Sequence, residues 1–563
     1  MKLNNVWGYG QLFGYSGMDG VNRYLNDFVG TLTTKKIGIR MELREWFKIY
    51  FPVRGRIRFK AITGDMIDAK TPEGDFFITF ADADTLVGYS PVLPVITGQK
   101  KLVYTETWGV KVWSNAYDAI GLQYREENGG YKFCLHHSQS IAEARSGANY
   151  YLQADAEKLK AERYGYFEKL PKCKNAKYER LYYKSLSINK VNVHSAEGKI
   201  PCPWTTPDRV PHRHMWLWDS VFHALAFLTY DGEMAKNSIR AVLTQEREDG
   251  FIPHMMNPID GSDVTQPQVL AWGVWETYKK TGDKNFLRES AEPLEKYLEW
   301  DARNRDKNGN GLLEWFTEPE ESCCKCGESG LDNSPRFDID EETDAVDFSV
   351  FQAHDSLYLS YIFRELGEEE KSRLWHKRYE TLKGKINEVF WDEEDGVYYD
   401  RSFSGKLSKV LTPVSFLPMF AGLSSKAQAD RMVKVLTDKN LLWTENPVAS
   451  VAKTHPTYST DMWRGGVWLN HNYFIIKGLK RYGYDAIAEE LRQKTLEMAD
   501  KWYKKTGSIF EFYAPEGEIC PYFCERKGKT VNPPDWRKHV HSIMDYNWSA
   551  SFTILFIQNE LYL

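Results

Sequence analysis

Two different hydrophobic patterns meet near residue 150, and they constrain the fold more than any single motif does. Residues 1–150 contain short apolar runs, such as Phe76–Phe80 and Lys101–Thr107, which Gly, Pro and Asp separate and which often alternate with period two. This pattern predicts an N-terminal antiparallel β-sandwich domain over residues 1–150. Residues 151–176 are rich in Ala, Glu and Lys, and they predict a helical linker.

The remaining residues, 177–563, show almost only helical periodicity, with twelve candidate helices. Twelve helices in antiparallel pairs would close a double-layered (α/α)6 barrel. We therefore predict a mainly α protein whose C-terminal domain, residues 177–563, is an (α/α)6 barrel. A chain of 563 residues is long enough for these two domains.

Charge and hydropathy exclude several classes of partner. The net charge is −5 and no basic run is present, which argues against nucleic acid or an anionic membrane as a partner. No apolar run is long enough to span a bilayer, and the N-terminus lacks a signal-type apolar segment, so we predict a cytoplasmic protein. Aromatic residues make up 14% of the chain, and around a cleft they suit a small carbohydrate. The sequence carries no signal for an oligomeric state.

The stretch Glu328–Phe337, ESGLDNSPRF, places the carboxylate of Asp332 among Gly, Asn, Ser and Pro, with Arg336 close behind. These four residue types favour turns for separate physical reasons, so the stretch predicts a stiff loop between helical segments. A carboxylate on such a loop is a candidate proton donor. The alternative is that Asp332 only hydrogen-bonds its own turn.

A second carboxylate, Glu511, lies among Phe510, Phe512 and Tyr513 in SIFEFYAPEGE. Aromatic neighbours partly desolvate a carboxylate, which favours a role in acid–base chemistry. The alternative is a strand residue whose side chain faces water. Two such carboxylates, with no GxGxxG, Walker or GxSxG motif in the chain, indicate glycoside hydrolysis.

The segment PDRVPHRHMWLWDS combines Arg213, Trp216, Trp218 and Asp219 just before a predicted helix. Aromatic platforms beside charged groups suit sugar binding, although capping the helix is an alternative role for Asp219.

Three further loops carry polar or aromatic candidates. His254 lies in DGFIPHMMNP, and the alternative to a functional role for it is structural packing. Gln266 lies in TQPQVL, and the alternative to sugar binding for it is solvation at the surface. The segment DMWRGGVWLNHN adds Trp463, Arg464 and Trp468 next to two glycines.

Two groups of residues are candidate metal ligands. Asp306, Asn308 and Asn310 copy the opening half of a calcium loop, but the twelfth position is Thr317 rather than Glu, and a plain Asn-Gly turn is the alternative. A zinc site is the other candidate, drawn from five cysteines: Cys323, Cys324, Cys326, Cys520 and Cys524. Their spacing is not a standard zinc pattern and favours free thiols. We therefore predict no cofactor, with calcium as the alternative.

Taken together, these segments resemble glycoside hydrolase family 63 and the related trehalase family, which are inverting α-glycosidases on an (α/α)6 barrel. The mannosylglycerate-hydrolase-like branch is the most similar. The matching segments are MWLWDSVFHALA, GFIPHM, TQPQVLAW, ESGLDNSPRF, DMWRGGVWLNHNY, SIFEFYAPEG and YNWSAS, and they cover most of residues 204–555 in the order of the family.

The resemblance implies that Asp332 is the general acid and Glu511 the general base of an α-glucosidase or α-mannosidase. It also implies which residues line the sugar pocket: Trp216, Asp219, Gln266, Arg336, Trp463, Arg464, Trp468 and Trp548.

Two stretches depart from the family pattern, namely ESCCKCG and Cys520–Asp545. Both adjoin the expected cleft. They suggest the hypothesis of a pocket for a short glucoside or mannoside, with a charged aglycone near Arg526, Arg537 or Lys538.

Three other functions remain open from the sequence. A glycoside phosphorylase would use phosphate in place of water. A sugar epimerase or a lyase would need His254, His354 or His471 to move protons. A non-catalytic sugar-binding protein would need neither carboxylate.

Overall fold

The computed structural model describes residues 1–4, 11–24, 29–35, 38–43, 47–98, 101–209, 212–318, 324–339, 341–527 and 541–561. Contacts divide the chain into two compact units. The first comprises Met1–Glu197, Asp208–Val210 and Asp500–Ile509, and the second comprises Gly198–Pro207, Pro211–Ala499 and Phe510–Leu563. The domain limits predicted at residues 150 and 176 stay a prediction.

The first unit contains the antiparallel β structure predicted for the N-terminus. Its strands are β1 (Gln11–Phe13), β2 (Gly30–Lys35), β3 (Gly38–Leu43), β4 (Phe47–Phe51), β5 (Arg58–Ile62), β6 (Met66–Thr71), β7 (Gly74–Asp82), β8 (Thr85–Ser90), β9 (Val95–Gly98), β10 (Val103–Thr107), β11 (Val110–Ser114), β12 (Ala119–Glu127) and β13 (Gly130–Ser138). One sheet has the order β1-β2-β3-β4-β9, and the other has the order β10-β11-β12-β13-β8-β7-β6-β5. Neighbouring strands pair antiparallel in both sheets.

Period-two burial explains how the two sheets share a core. In β4, Phe47, Ile49 and Phe51 are buried while the residues between them are half-exposed. These three side chains belong to the same hydrophobic cluster as Ile78 of β7 and Phe133 of β13. Strand residues two apart point to one face, so alternation alone directs one face of each strand inward.

Three helices follow the strands: α1 (Ile141–Tyr151), α2 (Ala156–Lys169) and α3 (Glu179–Val191). Asp155 caps α2, because its side chain accepts a hydrogen bond of 3.0 Å from the Lys158 N–H. The stretch predicted as a helical linker, residues 151–176, thus contains all of α2 and the last residue of α1.

The rest of the chain is mainly α, as predicted. The helices are α4 (Leu217–Phe227), α5 (Gly232–Leu243), α6 (Leu270–Thr281), α7 (Lys284–Asn304), α8 (Val346–Leu366), α9 (Glu369–Val389), α10 (Leu417–Phe420), α11 (Lys426–Leu436), α12 (Leu469–Arg481), α13 (Asp485–Thr506) and α14 (Asn547–Gln558). Two-residue strands connect the loops that lie between these helices. Met215–Trp216 pairs with Met255–Met256, Thr343–Asp344 with Arg401–Ser402, and Trp391–Asp392 with Val397–Tyr398.

Six of these helices form a closed ring. Each of α4, α6, α8, α10, α12 and α14 contacts the next, and α14 contacts α4. Every residue of α4 and of α14 is buried, whereas α7, α9 and α11 each bury a single stripe. A helix that is apolar on all sides needs neighbours all round, while a helix with one stripe needs a neighbour on one side only. Among the described residues, no helix is both long and apolar enough to cross a membrane.

Candidate active site

The segment around Asp332 is a loop of turns, as its composition predicts. The Cys326 N–H donates to the carbonyl of Asp332 at 3.2 Å, and the Ser334 N–H donates to the carbonyl of Leu331 at 2.9 Å. The Asn333 side chain accepts a hydrogen bond of 3.0 Å from the Trp463 N–H. The last contact ties this loop to the DMWRGG segment, 130 residues further along the chain.

Glu328 anchors the N-terminal side of the Asp332 loop. Its carboxylate binds the Arg305 guanidinium at 2.7 and 3.0 Å, and it accepts the N–H groups of Thr265 at 3.0 Å and Phe316 at 2.7 Å. This carboxylate is buried. One side chain therefore joins the Asp332 loop to the TQPQVL segment.

Arg336 anchors the C-terminal side of the loop. Its guanidinium donates four hydrogen bonds, at 2.6 and 2.8 Å to Asp347 and at 2.7 and 2.8 Å to Asp400. The side chain is only 2% exposed. The structure thus places Arg336, expected from the family resemblance to line the sugar pocket, between two buried carboxylates.

Gly330 provides a test of how tightly this loop is packed. Its φ is +71°, and a Cβ added to it would lie 2.4 Å from Cζ2 of Trp218. Gly309 has the same φ of +71° but has nothing within 4 Å of an added Cβ. An L residue in the left-handed region costs about 1–2 kcal/mol at either position.

We therefore expect Gly330→Ala to lower both the thermal unfolding temperature and the catalytic rate more than Gly309→Ala does. Differential scanning calorimetry and an activity assay on both variants check this. Equal effects of the two substitutions would mean that the contact with Trp218 is unimportant.

Glu511 lies on a backbone that is fixed at several points. Its N–H donates to the carbonyl of Ile543 at 2.8 Å. Its carbonyl accepts the Trp548 indole N–H at 3.3 Å and the Ser549 hydroxyl at 3.1 Å. The Glu511 side chain is 3% exposed. The carboxylate is thus held inside the protein rather than facing bulk water.

The predicted tryptophans pack mainly against one another. The ring of Trp468 stacks on Trp463 at 3.8 Å and on Phe512 at 4.8 Å, and it meets Trp548 edge-on at 5.6 Å. Trp218 lies 5.7 Å from Trp548. All four tryptophans are at most 4% exposed. They support the loops on either side of them.

Trp216 differs from these buried tryptophans. It is half-buried, and its ring meets His254 edge-on at 5.0 Å. The pairing of Met215–Trp216 with Met255–Met256 brings the two segments together. Among the described residues, the Trp216 indole N–H has no hydrogen-bond partner.

The other predicted residues lie in the same set of loops. Gln266 is buried, and its side-chain oxygen accepts the Trp218 N–H at 3.2 Å. Asp219 is buried in the first turn of α4, and Arg213 is half-buried. Arg464 binds Asp338 with two hydrogen bonds of 2.7 Å, and its side chain is 20% exposed.

Two consecutive cations bind the two candidate catalytic carboxylates. Arg526 donates to Glu511 at 3.0 and 3.4 Å, and the Lys527 ammonium lies 2.6 Å from Oδ2 of Asp332. Arg526 is also 3.2 Å from Nε2 of His212. Because Arg526 and Lys527 are neighbours in the chain, Asp332 and Glu511 share one site.

The sequence associates Arg526 only with a charged aglycone, and its motifs do not single out Lys527 or His212. The Arg-Lys pair in ERKGK, which follows the Glu511 segment, is the available signal. Arg537 and Lys538 lie outside the described residues.

The pKa shifts reflect this pairing. Burial alone would raise the pKa of Asp332, but Lys527, Arg526 and His254 outweigh it and hold the pKa below its usual value. Burial lowers the pKa of His254 to about 4, so its imidazole is neutral at pH 7. In this structure Asp332 is therefore an ionised carboxylate near neutral pH.

The calcium-loop candidates form a network of turns. Oxygens of Asp306, Asn308 and Asn310 accept backbone N–H groups at 2.9, 3.0 and 2.7 Å. The amides of Asn308 and Asn310 donate to Asp344 at 2.9 and 2.8 Å. Within the described ranges, no three His, Cys, Asp or Glu side chains are grouped to hold a metal ion.

The candidate zinc cysteines are present as thiols where the structure describes them. Cys324, Cys326, Cys520 and Cys524 are free, and Cys323 lies outside the described residues. Burial, followed by the charge of Asp332, raises the pKa of Cys324 to about 12, so this thiol is neutral at pH 7.

Comparisons with known proteins indicate the family of this chain. The family described as "Mannosylglycerate hydrolase MGH1-like glycoside hydrolase domain" matches residues 212–549, which is more than half of the chain. An uncharacterized protein of Borreliella burgdorferi is 30% identical over 265 residues, which are 46% of this chain and 53% of that protein. The chain thus spans about half the length of this relative.

Two further similarities extend the comparison. "Mannosylglycerate hydrolase MGH2" of Selaginella moellendorffii is 25% identical over 395 residues, covering 55% of this chain and 78% of that protein. The crystal structure of the GH63 mannosylglycerate hydrolase from Thermus thermophilus in complex with glucose has a TM-score of 0.55. At 21% identity it covers 68% of this chain and 100% of that chain, and it supports the fold. Residues 212–549, which match the family, include both candidate carboxylates. We conclude that the chain belongs to the mannosylglycerate hydrolase MGH1-like glycoside hydrolases of family 63.

Proposed function

We propose that the protein is an inverting α-glycosidase that hydrolyses a short α-glucoside or α-mannoside, either a disaccharide or a glycosylglycerate. The observation that carries this proposal is the meeting of Asp332 and Glu511, whose carboxylates bind adjacent residues of one segment. Two carboxylates facing one site are what hydrolysis of a glycosidic bond requires. The fold we assign to the second unit is an (α/α)6 barrel, with the closed ring as its inner layer.

In this proposal Asp332 protonates the glycosidic oxygen as the leaving group departs. Glu511 removes a proton from a water that attacks the opposite face of the sugar. Room for that water requires carboxyl groups roughly 6.5–9.5 Å apart. The backbone contacts of Glu511 and of the Asp332 loop hold both groups in place during the reaction.

The remaining residues divide into two roles. Arg336 and the buried tryptophans hold the loops, because their polar groups and faces are already occupied within the protein. Trp216 and His254 are the candidates for contact with the sugar, since Trp216 is only half-buried and has an unused indole N–H among the described residues. We assign Asp219, Gln266, Arg213 and Arg464 to binding and orienting sugar hydroxyls.

A substrate panel tests the proposal. We expect turnover of disaccharides and glycosylglycerates to exceed that of long glucans, and we expect the first-formed sugar to be the β-anomer. NMR spectra recorded in the first minutes of the reaction report both results. A first-formed α-anomer, or equal rates on polymers, would contradict the proposal.

The alternative enzyme classes make different demands on the chain. An epimerase or lyase would use His254, His354 or His471 to move protons. Burial lowers the pKa of His254 to about 4 and that of His471 to about 3, and His354 is fully buried. His354 packs against Phe420 at 4.3 Å in the helical core. A glycoside phosphorylase would require inorganic phosphate, so turnover in phosphate-free buffer distinguishes a hydrolase from that class.

A further inference from the structure

Arg526 and Lys527 hold their carboxylates in different ways. Arg526 directs two guanidinium nitrogens at Glu511, and the two side chains are 10% and 3% exposed. Lys527 makes one contact with Asp332, and these side chains are 29% and 20% exposed. A guanidinium fork is rigid, whereas an ammonium is a point charge on a flexible stem. The Lys527–Asp332 pair is therefore the one suited to exchanging partners.

The backbone of Lys527 is fixed although its side chain is flexible. Its φ is +60°, an uncommon conformation for a residue other than glycine. Its N–H donates to Oδ1 of Asp461 at 2.8 Å. A backbone held in this way keeps the lysine at the site while the ammonium is free to move between acceptors that lie within its reach.

The ion pair conflicts with the role of a general acid. A general acid must carry a proton before the bond breaks, but the ammonium of Lys527 favours the ionised form of Asp332. With a pKa below its ordinary value, Asp332 is almost entirely ionised at pH 7.

The titratable groups around Asp332 show which of them controls its charge. Within the part of the chain that the structure describes, they are Lys527, Arg526, His254 and Cys324. His254 and Cys324 are neutral at pH 7, and Arg526 is bound to Glu511. Lys527 is thus the cation in contact with Asp332. Displacing the Lys527 ammonium would let the Asp332 carboxylate gain a proton.

We propose, resting on the function above, that Lys527 is a specificity-determining residue that couples recognition of a carboxylate on the leaving group to protonation of Asp332. A leaving group with its own carboxylate takes the ammonium away from Asp332. A neutral leaving group leaves the ion pair in place, so Asp332 is protonated less often and hydrolysis is slower.

The protons balance in this scheme. Asp332 gains one proton from solvent when Lys527 exchanges partners, and it gives that proton to the glycosidic oxygen as the bond to the anomeric carbon breaks. Glu511 takes a proton from the attacking water and later returns it to solvent. The net reaction is the addition of one water across the glycosidic bond.

Proton uptake on ligand binding tests the exchange without catalysis. We expect wild-type protein to take up about one proton per bound D-glycerate at pH 7, measured by calorimetry in two buffers of different ionisation enthalpy. Glycerol, which lacks the carboxylate, serves as the control and should cause no uptake. Absence of D-glycerate binding, or binding without proton uptake, would overturn the proposal.

A pair of substrates tests the consequence for catalysis. A glycosylglycerate and the corresponding glycosylglycerol differ only in the carboxylate. In Lys527→Met we expect the preference for the glycerate substrate to fall on the order of 10–100-fold, with faster hydrolysis of the glycerol substrate. Lys527→Arg keeps the charge but replaces the flexible ammonium with a rigid guanidinium, so it should retain more of the preference than Lys527→Met does.

The outcomes separate this inference from the proposed function. If Lys527→Met slows both substrates by the same factor while its unfolding temperature is unchanged, the exchange is refuted but the hydrolase remains. If the wild type hydrolyses no glycoside at all, the proposed function fails, and proton uptake with D-glycerate still decides the exchange.

Discussion

Substitution of Asp332 with Asn is expected to lower kcat on ordinary alkyl glycosides by about 10²–10⁴-fold, because the glycosidic oxygen would leave without a proton. The same variant should lose far less activity on a glycosyl fluoride, since fluoride departs with little need of an acid. Asp332 lies on a loop fixed by hydrogen bonds, and its side chain is partly exposed. Steady-state kinetics on the two substrate types measure it.

Glu511→Gln is the matched comparison. The attacking water needs a base whichever group leaves, so this variant should lose activity on both substrates. Glu511→Ala should regain turnover with azide, a nucleophile that needs no base. If Asp332→Asn is as inactive on the fluoride as on the alkyl glycoside, or if Glu511→Gln hydrolyses the fluoride normally, the assigned roles are incorrect.

Arg336→Met is expected to give the largest loss of stability, about 3–5 kcal/mol in the free energy of unfolding, because it leaves two buried carboxylates without their cation. Asp347 would keep a hydrogen bond of 2.8 Å from the Trp315 indole, and Asp400 would keep one of 2.9 Å from the Val346 N–H. Neither donor supplies a positive charge. Urea unfolding followed by tryptophan fluorescence measures the loss.

Arg464→Met provides a control of the same chemistry at a more exposed place. Arg464 also binds a carboxylate with two hydrogen bonds, but its side chain is 20% exposed and that of Asp338 is 31% exposed. Surface pairs of this kind contribute about 0–1 kcal/mol, so we expect little change. Similar losses in the two variants would show that burial of the Arg336 cluster is unimportant.

The effect of Arg336→Met should also depend on pH. Burial would raise the pKa of Asp347, but Arg336 lowers it below its usual value. A carboxylate with a depressed folded-state pKa contributes stability that is complete above its unfolded pKa, about 3.9. That contribution is lost as pH falls through the folded-state pKa, so the difference between wild type and variant should shrink only under acidic conditions.

Local patterns were enough to predict much of this protein. The short apolar run Phe76–Phe80, which lies in β7, and the helical periodicity of α4 are properties of neighbouring residues, and they act before any tertiary contact forms. The turn chemistry of ESGLDNSPRF likewise predicts the loop of Asp332. The order of the motifs indicated the family, and the match over residues 212–549 confirms it.

Tertiary structure alone decided which charges meet. In the sequence, Arg336 and Arg464 look alike: each lies in a loop, next to proline for Arg336 and next to tryptophan for Arg464. In the structure, Arg336 is buried between Asp347 and Asp400, whereas Arg464 is partly exposed. Asp332 and Lys527 are likewise far apart in the chain but lie 2.6 Å apart in space. Periodicity describes one element at a time, whereas ion pairs between distant loops depend on how the ring of helices closes and brings those loops together.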